Sequence, residues 1–490
     1  MKQLFILLIT LCALPPQAAA RELTLTLDEA ITRARARSVD AAVALDELKT
    51  AYWQWRTFRA DRLPEVTFEA TAPSYSNQYT SYMDDRGDYS FVNTNHLEAT
   101  GQLSVIQKVR LTGATVRLTS SLDFMRMFGD NNSTRFMTIP VALSINQPLF
   151  AANTMKWDAR IEPVRYAEAK AAFMSATEDV ARATVEYYFS LILSRTNLSI
   201  AEQNLAVAEK LYEVAVEKRK MGQISENDLL QMELNVLDAR SDATDCRSTL
   251  KSNMFTLRSF LDIEEDVDIV PVVPDDTPVA DITYGDALDR ALANNKFAQS
   301  MRRRQLEADY EVARAKGDRN RVDLFVQVGF TGTDSRFGDS YTRLRGNQLA
   351  QIGFSIPLLD WGRRGGKVKV AESNRRVTES RLRKESQDFS HDLFVLVERY
   401  TNQQQQLEMA RRSSEIASRR YDTNVQTYLI GRISTLDLND SQTRKDDAMR
   451  NYINELYRFW TYWYQIRSLT LYDYSGHMPI NADISRLLAQ

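Results

Sequence analysis

Asp437 and Asp440 stand three residues apart in a helical pattern, which places both carboxylates on one helix face. One such pair is ordinary solvated surface. Repeated in several copies around a water-filled bore, the same carboxylates form acidic rings that favour cations and hinder anions. Their mutual repulsion must then be offset by solvent, ions or neighbouring basic groups. Other chemistry is hard to assemble from this chain. His96, His391 and His477 are widely spaced and have no nearby Cys or His, so metal-ligand spacing is missing. Gly365-Gly366-Lys367 lacks the glycine spacing of a phosphate cradle and reads as a strand-to-helix joint. Cys246 falls on an apolar helical seam and is expected to be buried and inert. The aromatic cluster Tyr452, Tyr457, Trp460, Tyr462, Trp463 and Tyr464 reads as helix packing. No catalytic constellation and no cofactor or metal site emerges, so an enzyme is not expected.

The elements that would carry Asp437 and Asp440 come in duplicate. Met221-Gly222-Gln223-Ile224-Ser225, followed by Asp228, returns as Ile430-Gly431-Arg432-Ile433-Ser434, followed by Asp437. Leu25-Thr26-Leu27-Asp28-Glu29-Ala30-Ile31 is echoed by Ile282-Thr283-Tyr284-Gly285-Asp286-Ala287-Leu288, and Ser144 to Phe150 by Ser355 to Trp361. Three matched pairs in one order imply a duplicated unit. We place the repeats at 21–270 and 281–475, with a linker at 271–280 and a tail at 476–490. The acidic run Glu264-Glu265-Asp266 before the linker is expected to be solvated.

Around each glycine the chain is helical. Ile200, Asn204, Val207, Leu211, Val214, Lys218 and Met221 step by four and three, and the seam resumes from Leu229 to Leu250. Leu396, Tyr400, Leu407, Ala410, Ala417, Tyr421 and Tyr428 do the same before Gly431. Helices of about 65 residues run on the order of 100 Å, longer than a globular core needs. Gly222 and Gly431 can take the left-handed conformation that ends a helix, and Ser225 and Ser434 can cap the next one. Asp228 and Asp437 then sit near its positive end.

Residues 1–20 combine Lys2, an apolar run from Leu4 to Leu14, and Ala18-Ala19-Ala20, the pattern of a secretory signal cleaved near Arg21. Cys12 lies inside that run, so no lipid anchor is expected there. The mature chain would carry 61 basic and 65 acidic side chains, a net charge of −4, which gives no sign of nucleic-acid binding. Its one thiol, Cys246, leaves no intrachain disulfide. No later segment has the roughly 18 uninterrupted apolar residues of a spanning helix. A closed β-barrel is the other way to satisfy backbone polar groups in lipid.

Barrel-like strands are present. Val322 to Phe330 and Ala350 to Ile356 alternate apolar and polar residues on either side of a polar loop from Thr331 to about Gly346. The hairpin region is placed at 322–358, with Tyr341 and Trp361 as interface aromatics. The matching region of the first repeat, 66–149, is longer. Val66 to Tyr79 pairs with Leu97 to Val109, and Thr115 to Phe124 with Phe136 to Ile145, the last two joined through Arg126 to Asn132. Leu111-Thr112-Gly113 makes the turn between the two hairpins. Whether the extra strands at 97–124 join a barrel stays open at the level of sequence, and a soluble β-sandwich is the alternative. An isolated hairpin leaves edges that lipid cannot satisfy, so a barrel would need strands from other copies.

These residues resemble the TolC family of outer-membrane efflux proteins over nearly the whole mature chain. The wording lies in Leu25-Thr26-Leu27-Asp28-Glu29-Ala30, Arg62-Leu63-Pro64, Asn146-Gln147-Pro148-Leu149-Phe150, Asp360-Trp361-Gly362-Arg363-Arg364 and the two Gly-x-Ile-Ser turns. The resemblance implies a mostly α fold with a β-barrel part: transmembrane strands completed by trimerisation and a long coiled-coil helical tunnel, in the outer membrane of a Gram-negative bacterium and extending into the periplasm. It implies a passive efflux or secretion duct contacting outer-membrane lipid, a periplasmic adaptor and an inner-membrane transporter. The adaptor-contacting tips would be Met221, Gly222, Gln223 and Ile224, with Ile430, Gly431, Arg432 and Ile433. The entrance gate would be Asp437 and Asp440, held closed with Asp228 and Tyr428. Ile433 stands where the better-known gate has a basic residue, with Arg432 adjacent. The rival reading is a soluble periplasmic coiled-coil adaptor or structural protein.

Overall fold

The computed structural model describes residues 21–83, 87–129, 132–278, 280–354, 359–429, 432–433, 435–481 and 487. Outside them lie the expected signal at 1–20, Asp130-Asn131 of the hairpin connection, Ser355 to Leu358, Ile430, Gly431, Ser434 and most of the tail. The Tyr428 side chain lies outside them too.

In chain order the elements are β1 (Arg21–Leu25), α1 (Leu27–Arg37), α2 (Val39–Ala60), β2 (Glu65–Met83), β3 (Tyr89–Lys108), β4 (Thr115–Met127), β5 (Ser133–Leu149), α3 (Thr154–Lys220), α4 (Glu226–Leu261) and β6 (Val267–Pro271). The second half supplies α5 (Tyr284–Asn294), α6 (Lys296–Arg319), β7 (Val322–Asp334), α7 (Phe337–Ser340), β8 (Leu344–Phe354), α8 (Arg363–Leu429), α9 (Thr435–Thr470), β9 (Tyr472–Asp473) and β10 (Met478–Pro479). Two compact units cut across the sequence repeats. The first takes in the chain up to Leu48, Lys170–Lys296 and the residues from Asp388 on; the second takes Lys49–Ala169 and Phe297–Gln387.

In the first unit the repeated wording turns out to be capping chemistry. Thr26 accepts a hydrogen bond from the Glu29 N–H at 3.3 Å while the Glu29 carboxylate accepts from the Thr26 N–H at 2.9 Å, a reciprocal box that starts α1. Thr283 accepts from the Asp286 N–H at 3.4 Å and starts α5 with the first of those two bonds. Each repeat then breaks its helix at a buried polar residue in extended conformation, Ser38 (ψ 150°) and Asn295 (ψ 148°). The Asn295 amide donates to the Leu469 carbonyl at 2.6 Å, a tertiary bond that local pattern cannot reveal.

The core of this unit is built on strands that the sequence reading missed. β1 pairs parallel with β6, so residues just before the linker form a strand and Ile269 is fully buried. The run Glu264 to Asp266 is exposed, as expected. The Tyr188 hydroxyl lies 2.7 Å from the carbonyl oxygens of Leu25 and Val272 and accepts from the Val272 N–H at 2.9 Å. Burial pushes that phenol far above its ordinary pKa, so it stays a donor. The expected aromatic packing is present: Trp463 and Phe459 are fully buried against Tyr400. Cys246 is half-buried, not enclosed, because this stretch of α4 buries only Ala243 and leaves the neighbours Asp245 and Arg247 exposed. The expected tail contributes β10, paired antiparallel with β9.

The second unit carries one six-stranded antiparallel sheet in the order β2-β3-β4-β5-β7-β8. Both hairpins of the first repeat belong to it, so the extra strands are continuous with the rest. Gly113, at φ +76°, closes the expected turn between β3 and β4, its N–H donating to the Val109 carbonyl at 2.8 Å. The presumed loop after Thr331 is shorter than expected, because β7 runs to Asp334, β8 starts at Leu344, and α7 sits between them. Four strands adjoin long helices, β2 after α2, β5 before α3, β7 after α6 and β8 before α8, and the helices follow the same order. Trp55 of α2 stacks on Tyr166 of α3 at 5.8 Å, Arg303 of α6 pairs with Glu168 of α3 at 2.6 Å, and Lys316 of α6 pairs with Glu372 of α8 at 2.8 Å.

One charge cluster matters most to the first unit. Glu178 is 2% exposed and accepts from both Arg35 and Arg467, and Arg467 also meets Asp473 at 2.8 Å. Removing the shared carboxylate strands two partly desolvated guanidinium groups. Glu178→Ala is therefore expected to destabilise this unit by about 3 kcal/mol in chemical denaturation; a loss below about 1 kcal/mol would show that solvent reaches the cluster freely.

Candidate functional site

The sheet of the second unit presents two contrasting faces. Across all six strands, Val66, Val105, Leu118, Leu143, Val328 and Gln348 form one paired row, and the row beside it on the opposite face is Thr67, Ser104, Thr119, Ala142, Gly329 and Asn347. The first face is apolar and bare: Val66 is 64% exposed and Phe68 72%, and Leu118, Leu143, Val328, Phe330 and Ile352 are exposed too. The second is polar or small, with Thr67 hydrogen-bonded to Ser104 at 2.8 Å. Where β5 and β7 run close within this row, side-chain size is limited: a Cβ at Gly329 would lie 2.8 Å from the Ala142 Cβ. A sheet with an apolar outer face and a polar inner one fits lipid on one side and water on the other.

At the strand-to-helix joints the two repeats use the same devices. Phe150 (φ 62°) and Trp361 (φ 50°) both adopt left-handed backbone, a rare conformation for aromatic residues, and both are strongly exposed. Trp361 was expected near the interface; Phe150 was not singled out. Asn153 then accepts from the Lys156 N–H at 3.0 Å to cap α3, while its amide ties back to the Arg110 carbonyl at 2.8 Å. Asp360 accepts from the Gly362 and Arg364 N–H groups at 2.9 and 3.1 Å ahead of α8, which holds its carboxyl below the usual range.

The expected tip residues lie between paired long helices of the first unit. Gly222 takes φ +70°, and the Gln223 N–H reaches back to the Lys218 carbonyl at 2.9 Å, six residues spanned by one closing bond. The same bond recurs in the second tip, from the Arg432 N–H to the Thr427 carbonyl at 3.1 Å. In both turns the x residue, Gln223 or Arg432, is exposed, and the isoleucine, Ile224 or Ile433, is half-buried. Met221 is exposed beside them. Ile430 and Gly431 lie outside the described residues.

Ser225 caps α4 as expected. Its side chain accepts from the Asp228 N–H at 3.1 Å, and the Asp228 carboxylate accepts from the Ser225 N–H and hydroxyl at 3.0 and 2.7 Å. The Ser225 side chain first, then its backbone, holds the Asp228 carboxyl below the ordinary range. Asp228 is thus occupied within its own turn, and the side chain of its expected companion Tyr428 is not among the described residues.

Asp437 and Asp440 are both exposed on α9. Asp440 lies between two cations, at 3.0 Å from Arg444 on its own helix and 3.0 Å from Arg420 on α8. Those bonds, Arg444 first, lower its pKa. The basic groups that an acidic ring would need are therefore built into each copy. Arg444 was legible four residues along the helix from Asp440; Arg420 was not, because only the α8–α9 pairing brings it there. Between the two halves, Gln442 of α9 donates to Asn204 of α3 at 2.7 Å and Arg450 donates to Asn197 at 2.9 Å. Among the described residues no cluster of His, Cys, Asp and Glu could hold a metal ion, and no helix is long and apolar enough to cross a membrane.

A family model described as outer membrane efflux protein matches residues 30–261 and 288–476, one segment in each repeat. No curated protein sequence matches the chain. Among solved structures it is similar to the CmeC outer membrane channel of Campylobacter jejuni, at TM-score 0.66 and 14% identity over 94% of this chain and 88% of that one. It is also similar to the outer membrane protein VceC of Vibrio cholerae, at TM-score 0.61 and 13% identity over 93% and 97%. The open-state MtrE outer membrane channel of Neisseria gonorrhoeae gives TM-score 0.58 and 12% identity over 93% and 91%. At these identities the structural likeness concerns the fold.

The tip cap carries a pH dependence whose sign is fixed by Asp228. A depressed carboxyl stabilises the turn above the ordinary aspartate pKa of about 3.9 and loses that contribution as pH falls through its own lower value. Protection of the Ser225 and Asp228 amides, taken as exchange relative to the unstructured rate at each pH, is expected to hold down to about pH 4 and to fall below it. In Asp228→Asn that fall should disappear; an unchanged acid response would assign it to another group.

Proposed function

The chain belongs to the outer membrane efflux protein family, and from that premise we propose that three copies form a gated, passive duct from the periplasm through the outer membrane. The protein is an outer-membrane efflux channel that extends into the periplasm, and its family is one of channels, not of enzymes. The further proposal is that transport is driven from an inner-membrane transporter through a periplasmic adaptor, which docks on Met221 to Ile224 and on Ile430 to Ile433. No bond chemistry is assigned to the duct itself.

The observation that carries this reading is the bare apolar face across a sheet whose outer strands, β2 and β8, have no neighbours on their far sides among the described residues. A soluble spacer would bury that face or replace it with polar residues. Lipid covers it without cost, and strands of further copies satisfy the edges. Detergent extraction followed by native mass measurement tests the assembly: trimers from the outer-membrane fraction support the duct, and a monomer released by salt or alkaline wash overturns it.

At the entrance we assign Asp437 and Asp440 to the constriction, with Arg420 and Arg444 offsetting the Asp440 charge until the coils move. Asp437→Ala combined with Asp440→Ala is expected to raise basal conductance in planar bilayers severalfold and to weaken cation preference. Unchanged conductance and selectivity would remove both residues from the gate. At the tips, Gly222→Asp with Gly431→Asp should abolish export while trimers still reach the membrane. Each change puts a side chain and a charge where a left-handed turn is expected, and undiminished export would place adaptor docking elsewhere.

A further inference from the structure

We infer that all six strands of each copy stand in the barrel wall, so that three copies close an eighteen-stranded barrel along a seam between β8 of one copy and β2 of the next. The inference rests on the trimeric duct and specifies its transmembrane part. Two observations carry it.

The first is chemical. The apolar row does not stop at the strands that both repeats share: Val66 and Phe68 on β2 and Leu103 on β3 are as bare as Leu143 on β5 and Val328 on β7. On the reverse side of the same two strands, Glu69 pairs with Gln102 and Thr67 with Ser104. The additional hairpin therefore has the lipid-and-water alternation of the rest of the sheet. A hairpin lying off the membrane would have no use for it.

The second is topological. β3 is paired with β4 over thirteen residues, from His96–Met127 to Lys108–Thr115, so the hairpin is not a flap. β2 leaves the helix-joined end of the sheet at Glu65, and β8 returns to that end at Phe354. When a second copy is set beside the first, its β2 therefore runs antiparallel to β8. Every seam is alike, and a heterologous contact of this kind closes a ring.

Eighteen strands spaced about 4.8 Å apart and tilted about 40° would give a circumference of about 110 Å. A barrel of this size encloses an aqueous bore, which moves the constriction out of the membrane segment and leaves it to the helical entrance.

Lipid-quenching measurements on trimers in bilayers test this. In a Cys246→Ser background, single cysteines carry an environment-sensitive fluorophore and the bilayer contains brominated lipid. Phe68→Cys and Leu103→Cys are expected to be quenched as strongly as Leu143→Cys and Val328→Cys, with Glu69→Cys and Gln102→Cys quenched less than half as much. Quenching at 143 and 328 but not at 68 and 103 overturns the six-strand wall and leaves the channel standing. Quenching at none of them overturns both. For the seam, cysteine pairs with one member at 67 or 69 and the other at 351 or 353 should give covalent trimers on oxidation. Trimers obtained instead from pairs joining β4 to β8 would put the hairpin outside the wall.

Discussion

A backbone N–H or C=O inside a lipid bilayer has no water to bind, and the outer edges of β2 and β8 each present a row of such groups. Much else in the chain follows from that requirement. One copy cannot satisfy its own edges, because its six strands form an open sheet. The apolar row from Val66 to Val328 makes sense only where lipid meets it, and the polar row from Thr67 to Asn347 only where water does. Within the polar row, Gly329 keeps the space that its cross-strand partner Ala142 needs.

Joining a sheet to long helices demands sharp, reproducible corners. The chain solves this twice with similar parts: an exposed aromatic in left-handed conformation, Phe150 or Trp361, and beside it a side chain that caps the helix, Asn153 after Phe150 and Asp360 before Trp361. Left-handed backbone costs a non-glycine residue roughly 1–2 kcal/mol, so its recurrence at equivalent places points to a constraint from the surroundings. Large exposed aromatics at the end of an apolar wall are suited to the headgroup region.

The first unit depends on different physics. Its β1–β6 pair is pinned by one buried phenol, Tyr188, and its helices by a carboxylate, Glu178, shared between Arg35 and Arg467. Toward the tips, packing gives way to surface ion pairs such as Arg240–Glu209 and Arg247–Glu202. Exposed pairs of this kind add little stability, which suits a region assigned to opening. Asp440 illustrates the point: both of its guanidinium partners are held in solvent-accessible bonds that can be exchanged for others.

Local chemistry was open to reading from the sequence alone. Caps, left-handed glycines and strand alternation are written within a few residues of where they act, so Ser225, Gly222 and the six strand segments could be placed, along with the duplication that relates them. Tertiary structure decided what depends on residues far apart in the chain. It broke the first helix of each repeat at Ser38 and Asn295, turned 267–271 into a strand beside β1, and joined the extra hairpin to a single sheet. It also set Arg420 against Asp440. Each of these is a pairing whose energy comes from a partner that no local pattern names, whereas a cap or a turn carries its partner three or four residues away.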